Sequence, residues 1–544
     1  MCVCVYVCVC ACLCACACVC VSVCVCACVC VCVCVCVYLC VSVCVCACVC
    51  VCACVCACVC AYGCVCARVY VCVCVCVCVC VCVCVYVCVC LCEITLTESS
   101  RVFNTWKNPP PPVYMEFFFF NVTNPQEFLG GAKPRVTHMG PYTYREYRPK
   151  DNVSFVDNGT KVSALTPKTF VFMPDLSAGD PSIDLVTTVN IPAVVVMNKV
   201  KSLSFWTRSA ISLFMGKIGT GMFMTHTVDE LLWGFKDPLL THLHTFKPEV
   251  AEDFGLMLNK NGSHDGEFVY LTGEHNYLDY GRIYTWKGQK LMSFWSTNQS
   301  NMINGTDGSA FHPFLTKTER LDVFTADLCR SIYMLFEKEV EVKGIPAYRY
   351  TPPHEVLASP KNNPENKGFC LPQDQCLDDG VLNVATCRDG APVIVSFPHF
   401  YLGDKKYVDA IEGITPVHDQ HQTFLDLNPT TGIPVRASKR AQINIMLERI
   451  TGFPMTKNMK GTIFPIMFLN ESVLIDDASA EKLHKLLTIE TLVSYFPFIL
   501  VVLGVLLFII SILLLIRSRQ RKVRSLGRER MWENVCEYVW AAPV

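Results

Sequence analysis

The sequence predicts a membrane-anchored α+β protein, in which a large luminal domain of mostly antiparallel strands is held to the bilayer by a helix near the C-terminus. Three observations predict it. An uncharged run of 25 residues, Leu492–Ile516, is followed by a dense basic segment. Ahead of it, short apolar or alternating runs recur between Gly, Pro, Asn and Asp, the pattern of strands and turns. Seven N-x-Ser/Thr sequons and four clustered cysteines all lie on the N-terminal side of the apolar run.

The first 92 residues stand apart as a two-residue repeat, with Cys at even positions and Val at odd ones. A run of alternating T and G encodes Cys-Val in either phase. Every interruption, from Tyr6, Ser22 and Arg68 in even slots to Ala11, Leu13 and Gly63 in odd slots, is one base from the codon expected there. Selection on a folded protein has no reason to respect codon neighbourhoods, so residues 1–92 read as translated microsatellite rather than a native domain. Taken as protein, the repeat would be an aggregation-prone strand or an apolar segment carrying Arg68 as its only charge. The repeat also distorts the whole-chain count of 43 cysteines, which would otherwise point to a disulfide-rich secreted protein. Function is therefore read from Glu93 onward.

In the body, 94–488, the strand signals include Thr169–Met173, Phe268–Leu271, Ala391–Phe397 and Gln442–Leu447. The richest helical pattern is Pro192–Met224, with Leu203, Phe205, Trp206, Ile211, Leu213, Phe214 and Met215 as its apolar residues, weakened at its end by Gly216, Gly219 and Gly221. These residues do not all fit one stripe of helical period, so some are expected to face outward. Thr227–Phe235 opens with a capping signal, Thr227 followed by Glu230. Pro109–Pro112 reads as a stiff lead into the domain rather than a helix.

Leu492–Ile516 exceeds the ~20 residues a membrane helix needs. Arg517, Arg519, Arg521, Lys522, Arg524, Arg528 and Arg530 follow it, which places the tail, 517–544, in the cytosol and the body in a lumen or outside. The sequons, at Asn121, Asn152, Asn158, Asn261, Asn298, Asn304 and Asn470, agree with that orientation as expected glycosylation sites. So do Cys329, Cys370, Cys376 and Cys387, an even number as expected in an oxidising compartment. Four cysteines permit three pairings, and spacing does not choose among them. A zinc site is the rival use, although Cys-x5-Cys is not a usual ligand spacing.

No catalytic signature is present. Gly-x-Ser-x-Gly, His-Glu-x-x-His and a Gly-x4-Gly-Lys phosphate loop are all missing from the sequence. GSHDG at 262–266 has its serine one position early, GKIGTG at 216–221 has no strand before it, and His418 and His421 in HDQH lack a nucleophile motif. The sequence thus predicts no enzyme activity, no cofactor and no metal. The basic tail flanks a stop-transfer segment and does not argue for nucleic acid.

Several long motifs then carry a resemblance: PVYMEFFFFNVTNPQEF (112–128), GPYTYRE (140–146), THTVDELLWGFKDP (225–238), NMINGTDG (301–308), CRSIY (329–333), GIPAYRY (344–350), APVIVSFPHFY (391–401) and FLDLNPTTGIPV (424–435). In these the chain, from about Ile94 to Ile516, resembles the class B scavenger receptors. THTVDELLWG and the NIP at 190–192 are marks of the family's lysosomal branch. The resemblance implies a large luminal antiparallel β-barrel with a helical cap, an internal hydrophobic tunnel, and membrane spans at both ends. It implies disulfides Cys329–Cys387 and Cys370–Cys376. It also implies a receptor in the lysosomal or late endosomal membrane that sorts a luminal hydrolase such as β-glucocerebrosidase through its cap, with cholesterol or phospholipid as further ligands. The alternative within the same fold is a plasma-membrane receptor for lipid or lipoprotein uptake, and self-association of the cap as a homodimer is left open.

Candidate partner contacts are Leu203, Phe205, Trp206, Ile211, Phe214 and Met215, with His242 and His244 in the neighbouring THLHTF. Four departures from the family pattern matter. The repeat stands where an N-terminal span belongs, and Ser300 replaces a cysteine. The tail lacks an acidic dileucine, and Tyr538 is followed at its third position only by Ala541. Leu203–Phe205 holds no histidine where the family's pH-sensitive one would sit, which leaves His242 and His244 as the nearest substitutes.

Overall fold

The computed structural model describes residues 95–373 and 375–540, so the expectation for the repeat at 1–92 lies outside the described residues. Alternation along the chain sets its framework. In VYMEFFFFNV, Met115, Phe117 and Phe119 point into one apolar cluster, and Phe120 turns to another.

Nine strands form the path of the main antiparallel sheet: β1 (Val113–Val122), β2 (Val136–Tyr147), β3 (Thr169–Phe172), β4 (Leu321–Thr325), β5 (Arg330–Val342), β6 (Ile345–Thr351), β7 (Phe424–Leu427), β8 (Pro434–Leu447) and β9 (Thr462–Leu474). Their spatial order is β4-β5-β6-β7-β8-β9-β1-β2-β3. Each strand therefore neighbours its successor in sequence, except at the centre, where the last strand pairs with the first. There Val113 lies opposite Val473 and Phe119 opposite Met467. Two short strands, Val381–Asn383 and Val393–Ser396, branch from β8, and a separate four-stranded sheet orders Ile283–Trp286, Phe268–Leu271, Lys161–Leu165 and Asp151–Val156.

The main sheet does not close into the expected barrel among the described residues, because β4 and β3 do not pair. Each end is short and is covered by other chain. Beside β4, the Phe324 N–H donates to the Thr306 carbonyl; at β3, the Phe170 N–H donates to Asn261 Oδ1, and Lys168 exchanges backbone bonds with the Gly262–Ser263 turn. Edges protected in this way need no mutual closure.

The helical stretch expected over Pro192–Met224 is two helices, α1 (Ile191–Val200) and α2 (Phe205–Lys217), followed by a strand, Phe223–Thr227, that pairs with Leu185–Val189. Ser204 ends the linker and caps α2, its hydroxyl accepting from the Thr207 N–H at 3.2 Å. Further on are α3 (Val228–Trp233) and α4 (Pro238–Phe246). The capping signal at Thr227 is realised in both directions: the Glu230 N–H donates to Thr227 Oγ1, and the Thr227 N–H donates to the Glu230 carboxylate. Pro109–Pro112 is non-helical. α1 sinks Ile191, Ala193, Val194 and Met197 into the same apolar cluster as Phe120, Phe464 and Ile466.

The globular unit ends at Leu483. From His484 the chain belongs to a second unit, within the long helix Asp477–Trp540. Among the described residues this is the one helix long and apolar enough to cross a membrane, over Val502–Arg521. Its apolar side chains face outward, Phe498 at 69% exposure and Val502 at 58% among them, which suits a lipid environment rather than a protein core.

Disulfides join Cys329 to Cys387 and Cys370 to Cys376. The first closes a sequence separation of 58 and the second one of 6, so in the chain-entropy model they stabilise by about 4 and about 2 kcal/mol. Cys329→Ser is accordingly expected to reduce secretion and lower the melting temperature of the protein more than Cys376→Ser. Thermal melting of the purified variants, together with non-reducing peptide mapping of the parent, checks both the ranking and the pairing.

Candidate functional site

Helix α2 carries apolar residues on two faces. Ile211, Phe214 and Met215 recur at helical spacing toward the protein, where Ile211 and Phe214 pack half-buried against the core and Met215 is completely enclosed. Met215 is thereby corrected from a partner contact to a core residue, because its position on the helix turns it inward. The opposite face shows Trp206 at 80% and Leu213 at 78% exposure, with Leu203 and Phe205 about half exposed beside them. Phe205 and Trp206 meet edge to face at 5.6 Å, which holds the two rings as one apolar knob. Phe246, at the end of α4, is a further exposed ring on the cap at 77%.

α4 is tied to α2 by His242, whose ring meets Phe214 edge-on at 5.7 Å while its Nδ1–H donates to the Pro238 carbonyl at 2.7 Å. His244 Nδ1–H donates to the Val250 carbonyl, and its Nε2 lies 3.7 Å from Glu252 Oε1. His242 is thus exposed and His244 half-buried, each with a bond that fixes its tautomer. Leu213 and Phe246 were legible only as apolar residues. Which face they took depended on where α1 and α4 packed.

The interior is not uniformly apolar. Where β2, β9 and β8 run together, Arg148 Nη1 donates to Glu471 Oε1 at 2.6 Å, and Lys439 Nζ lies 3.4 Å from Glu471 Oε2. Glu146, 3% exposed, lies 3.9 Å from Arg148, and its carboxylate accepts no hydrogen bond from the protein. Nearby loops add Lys168 and Lys260 on Asp265, and Lys150 on Asp307, which also accepts from Tyr270. Burial raises the Glu146 carboxyl against the pull of Arg148. Burial also works to raise Glu471, but Lys439 and Arg148 overcome it and hold that carboxyl well below the usual range. Arg148 keeps 23% of its side chain exposed to solvent.

With this geometry in place, comparison with known proteins is decisive, since residues 66–515 match the CD36 family. The chain belongs to that family. It is similar to lysosome membrane protein 2 of Homo sapiens, 47% identical over 413 residues, covering 76% of this chain and 85% of the relative. The Rattus norvegicus protein of the same name is 46% identical over 412 residues, with the same coverage. Scavenger receptor class B member 1 of Cricetulus griseus is 34% identical over 432 residues, covering 79% and 84%. The exposed apolar cap and the charged interior described above are thus features of a CD36-family ectodomain.

The sequons of this CD36-family chain differ in what the fold leaves free. Asn152, Asn158, Asn261 and Asn298 are exposed, and Asn121 and Asn304 are half-buried, Asn121 accepting from the Thr187 N–H. Asn470 is half-buried in the central strand β9, where it accepts from Ser438 Oγ at 2.6 Å and donates to Glu116. Both ends of its amide are committed inside the sheet, so the expectation of a glycan at Asn470 is withdrawn. Glycopeptide mapping is expected to find Asn152, Asn158 and Asn298 modified and Asn470 bare.

A second prediction concerns the ion network. Arg148→Met leaves Glu471 and Glu146 without their shared partner and is expected to cost about 3 kcal/mol or more. The double change Arg148→Met with Glu471→Leu removes both charges and is expected to recover most of the loss. Denaturant titration of the three proteins at neutral pH measures the difference.

Proposed function

We propose that this protein is a receptor of the lysosomal or late endosomal membrane that binds a luminal protein through its cap. In this reading 94–488 is luminal, 492–516 spans the bilayer and 517–544 is a basic cytosolic tail. The observation that carries it is the apolar knob of Phe205 and Trp206 on α2, flanked by Leu203 and Leu213. Large aromatic residues in an exposed cluster are what protein interfaces use as anchors, and leaving them in water has no benefit for a monomer. The identity to lysosome membrane protein 2 supports the compartment, and a hydrolase such as β-glucocerebrosidase is the cargo the resemblance implies. A second reading keeps the same fold at the plasma membrane as a receptor for cholesterol, phospholipid or lipoprotein. It is supported by the similarity to scavenger receptor class B member 1.

Trp206→Ala with Phe205→Ala is expected to weaken hydrolase binding by about 2 kcal/mol or more, with secretion and melting unchanged. Met215→Ala, in the core, is expected instead to lower stability by about 2 kcal/mol or more. Binding of β-glucocerebrosidase to the purified protein at about pH 7 and about pH 5, with melting curves for each variant, separates the two effects. A well-folded double variant with unchanged affinity would overturn the site, and a parent protein with no affinity at either pH would favour the lipid receptor.

A further inference from the structure

Two histidines are stacked inside the globular unit. His399 and His421 lie with rings 4.4 Å apart and 11° from parallel, at 3% and 4% exposure. Their protonation is defined by their partners. His399 Nδ1 accepts from the Thr415 N–H at 3.0 Å and His421 Nδ1 accepts from the Val417 N–H at 2.9 Å, so in each neutral ring the hydrogen is on Nε2. His399 Nε2 has no acceptor in the protein. Phe120 and Phe468 wall the pair at 5.3 and 5.6 Å from the His399 ring.

The two rings belong to different segments. Phe397–Leu402 is held in an unusual backbone, with φ of 52° at His399, 56° at Phe400 and 59° at Leu402, a left-handed run that L-residues adopt only when their surroundings enforce it. One enforcing bond is the His399 N–H to Gln442 Oε1 at 2.7 Å. The other segment, His418–Thr423, is fastened to β8 by Arg440, which donates to the Gln422 carbonyl. Beside the pair lies a cavity of about 190 Å³, walled by Phe397, Tyr401 and Leu402 of the first segment, Gln422 and Thr423 of the second, and the stretch 351–354.

We propose that the stacked pair is an acid-operated latch: neutral rings hold the two segments together over this cavity, and a proton on either ring separates them and opens it. Stacked imidazoles in contact tolerate no charge on one face without a counter-ion, and the site supplies none. The titratable or charged groups facing the pair are His138 from β2, Arg440 from β8, and His418 and Asp419 from the second segment. Glu116 of β1 acts on Arg440, as do Arg436 and Arg349. Asp419 is taken by His418 at 2.9 Å. Burial first, then His421 and His138, lowers His399 to about 3; burial, then Arg440 and His138, lowers His421 to about 4. Both rings are therefore neutral in the closed form, and their contribution is complete above the free imidazole value of about 6.5 and is lost as the pH falls from there toward 4 and 3.

Hydrogen–deuterium exchange of the detergent-solubilised full chain, at about pH 7 and about pH 5 and corrected for intrinsic rates, tests the latch. A proton taken up by each ring on opening predicts a gain in exchange of about twentyfold per ring at the lower pH, several hundredfold for the pair, confined to Phe397–Leu402 and His418–Thr423. His421→Phe keeps the stack but leaves only His399 to be protonated, and it is expected to reduce that gain to about twentyfold. Should His421→Phe not fold, His399→Asn, whose side chain tolerates left-handed backbone, is read in the same way. Equal corrected exchange at both pH values in the parent, or a folded variant that keeps the full gain, would overturn the proposal.

Discussion

Everything in the globular unit is arranged around the pairing of β1 with β9. β1 lies between β2, next in sequence, and β9, the last strand of the sheet, and its register with both is fixed by the same alternation. A slip of one residue would turn Met115, Phe117 and Phe119 out of their cluster and bring Glu116 and Phe118 in, exchanging the contents of two cores at once. Opposite Val113 stands Val473, so the first strand of the sheet begins beside the end of the last. The proline lead before Val113 and the helix after Leu474 start from neighbouring points.

What the sequence made legible follows from how local each signal is. The strands at 169, 268, 391 and 442 were readable because alternation and turn residues are properties of a few consecutive positions; the first three are found within a residue or two of their expected bounds, while the last begins at Pro434, eight residues earlier than expected. The capping box at Thr227 was legible for the same reason. The break between α1 and α2 was not, since Lys201–Ser204 contains neither Gly nor Pro and its turn depends on the docking of both helices. The open sheet was not legible either, because closure depends on whether β3 and β4 meet, a contact that no local pattern encodes. At the cap, composition announced an excess of apolar residues but could not assign Met215 to the core and Leu213 to solvent. The ion network was invisible for a related reason. Glu146, Arg148, Lys168 and Glu471 read as ordinary polar positions at strand ends until the fold brings them together.

Buried Glu146 and the buried histidines respond to acid with opposite signs. Glu146 has a raised value in the folded unit, so taking up a proton favours the fold, and its contribution grows as the pH falls through that value. His399 and His421 have lowered values, so acid works against them. Asp307, held down to about 2 although burial opposes it, keeps its bond to Lys150 until the pH is far below that of any cellular compartment. Glu146 alone among these carboxyls therefore offsets the histidines on acidification, whereas Glu471 and Asp307, held below the usual range, lose their contribution once the pH falls through those lowered values.

The central pairing also sets an order of events during synthesis. Glu116 and Asn470, bonded side by side in the finished sheet, are 354 residues apart in the chain. At about 5–20 residues per second, β1 emerges some tens of seconds before its partner exists. Through that interval its aromatic run, Phe117–Phe120, has one unpaired edge, which is the circumstance in which nascent chains engage chaperones or aggregate. β4 to β9, each beside its successor, can zip in the order they are made. The strand that waits is the first, and its wait ends only as the apolar helix that follows β9 is itself being translated. Completing the globular unit and delivering the apolar helix are therefore consecutive steps of one elongation, and a ribosome stalled between them would leave a chain with neither.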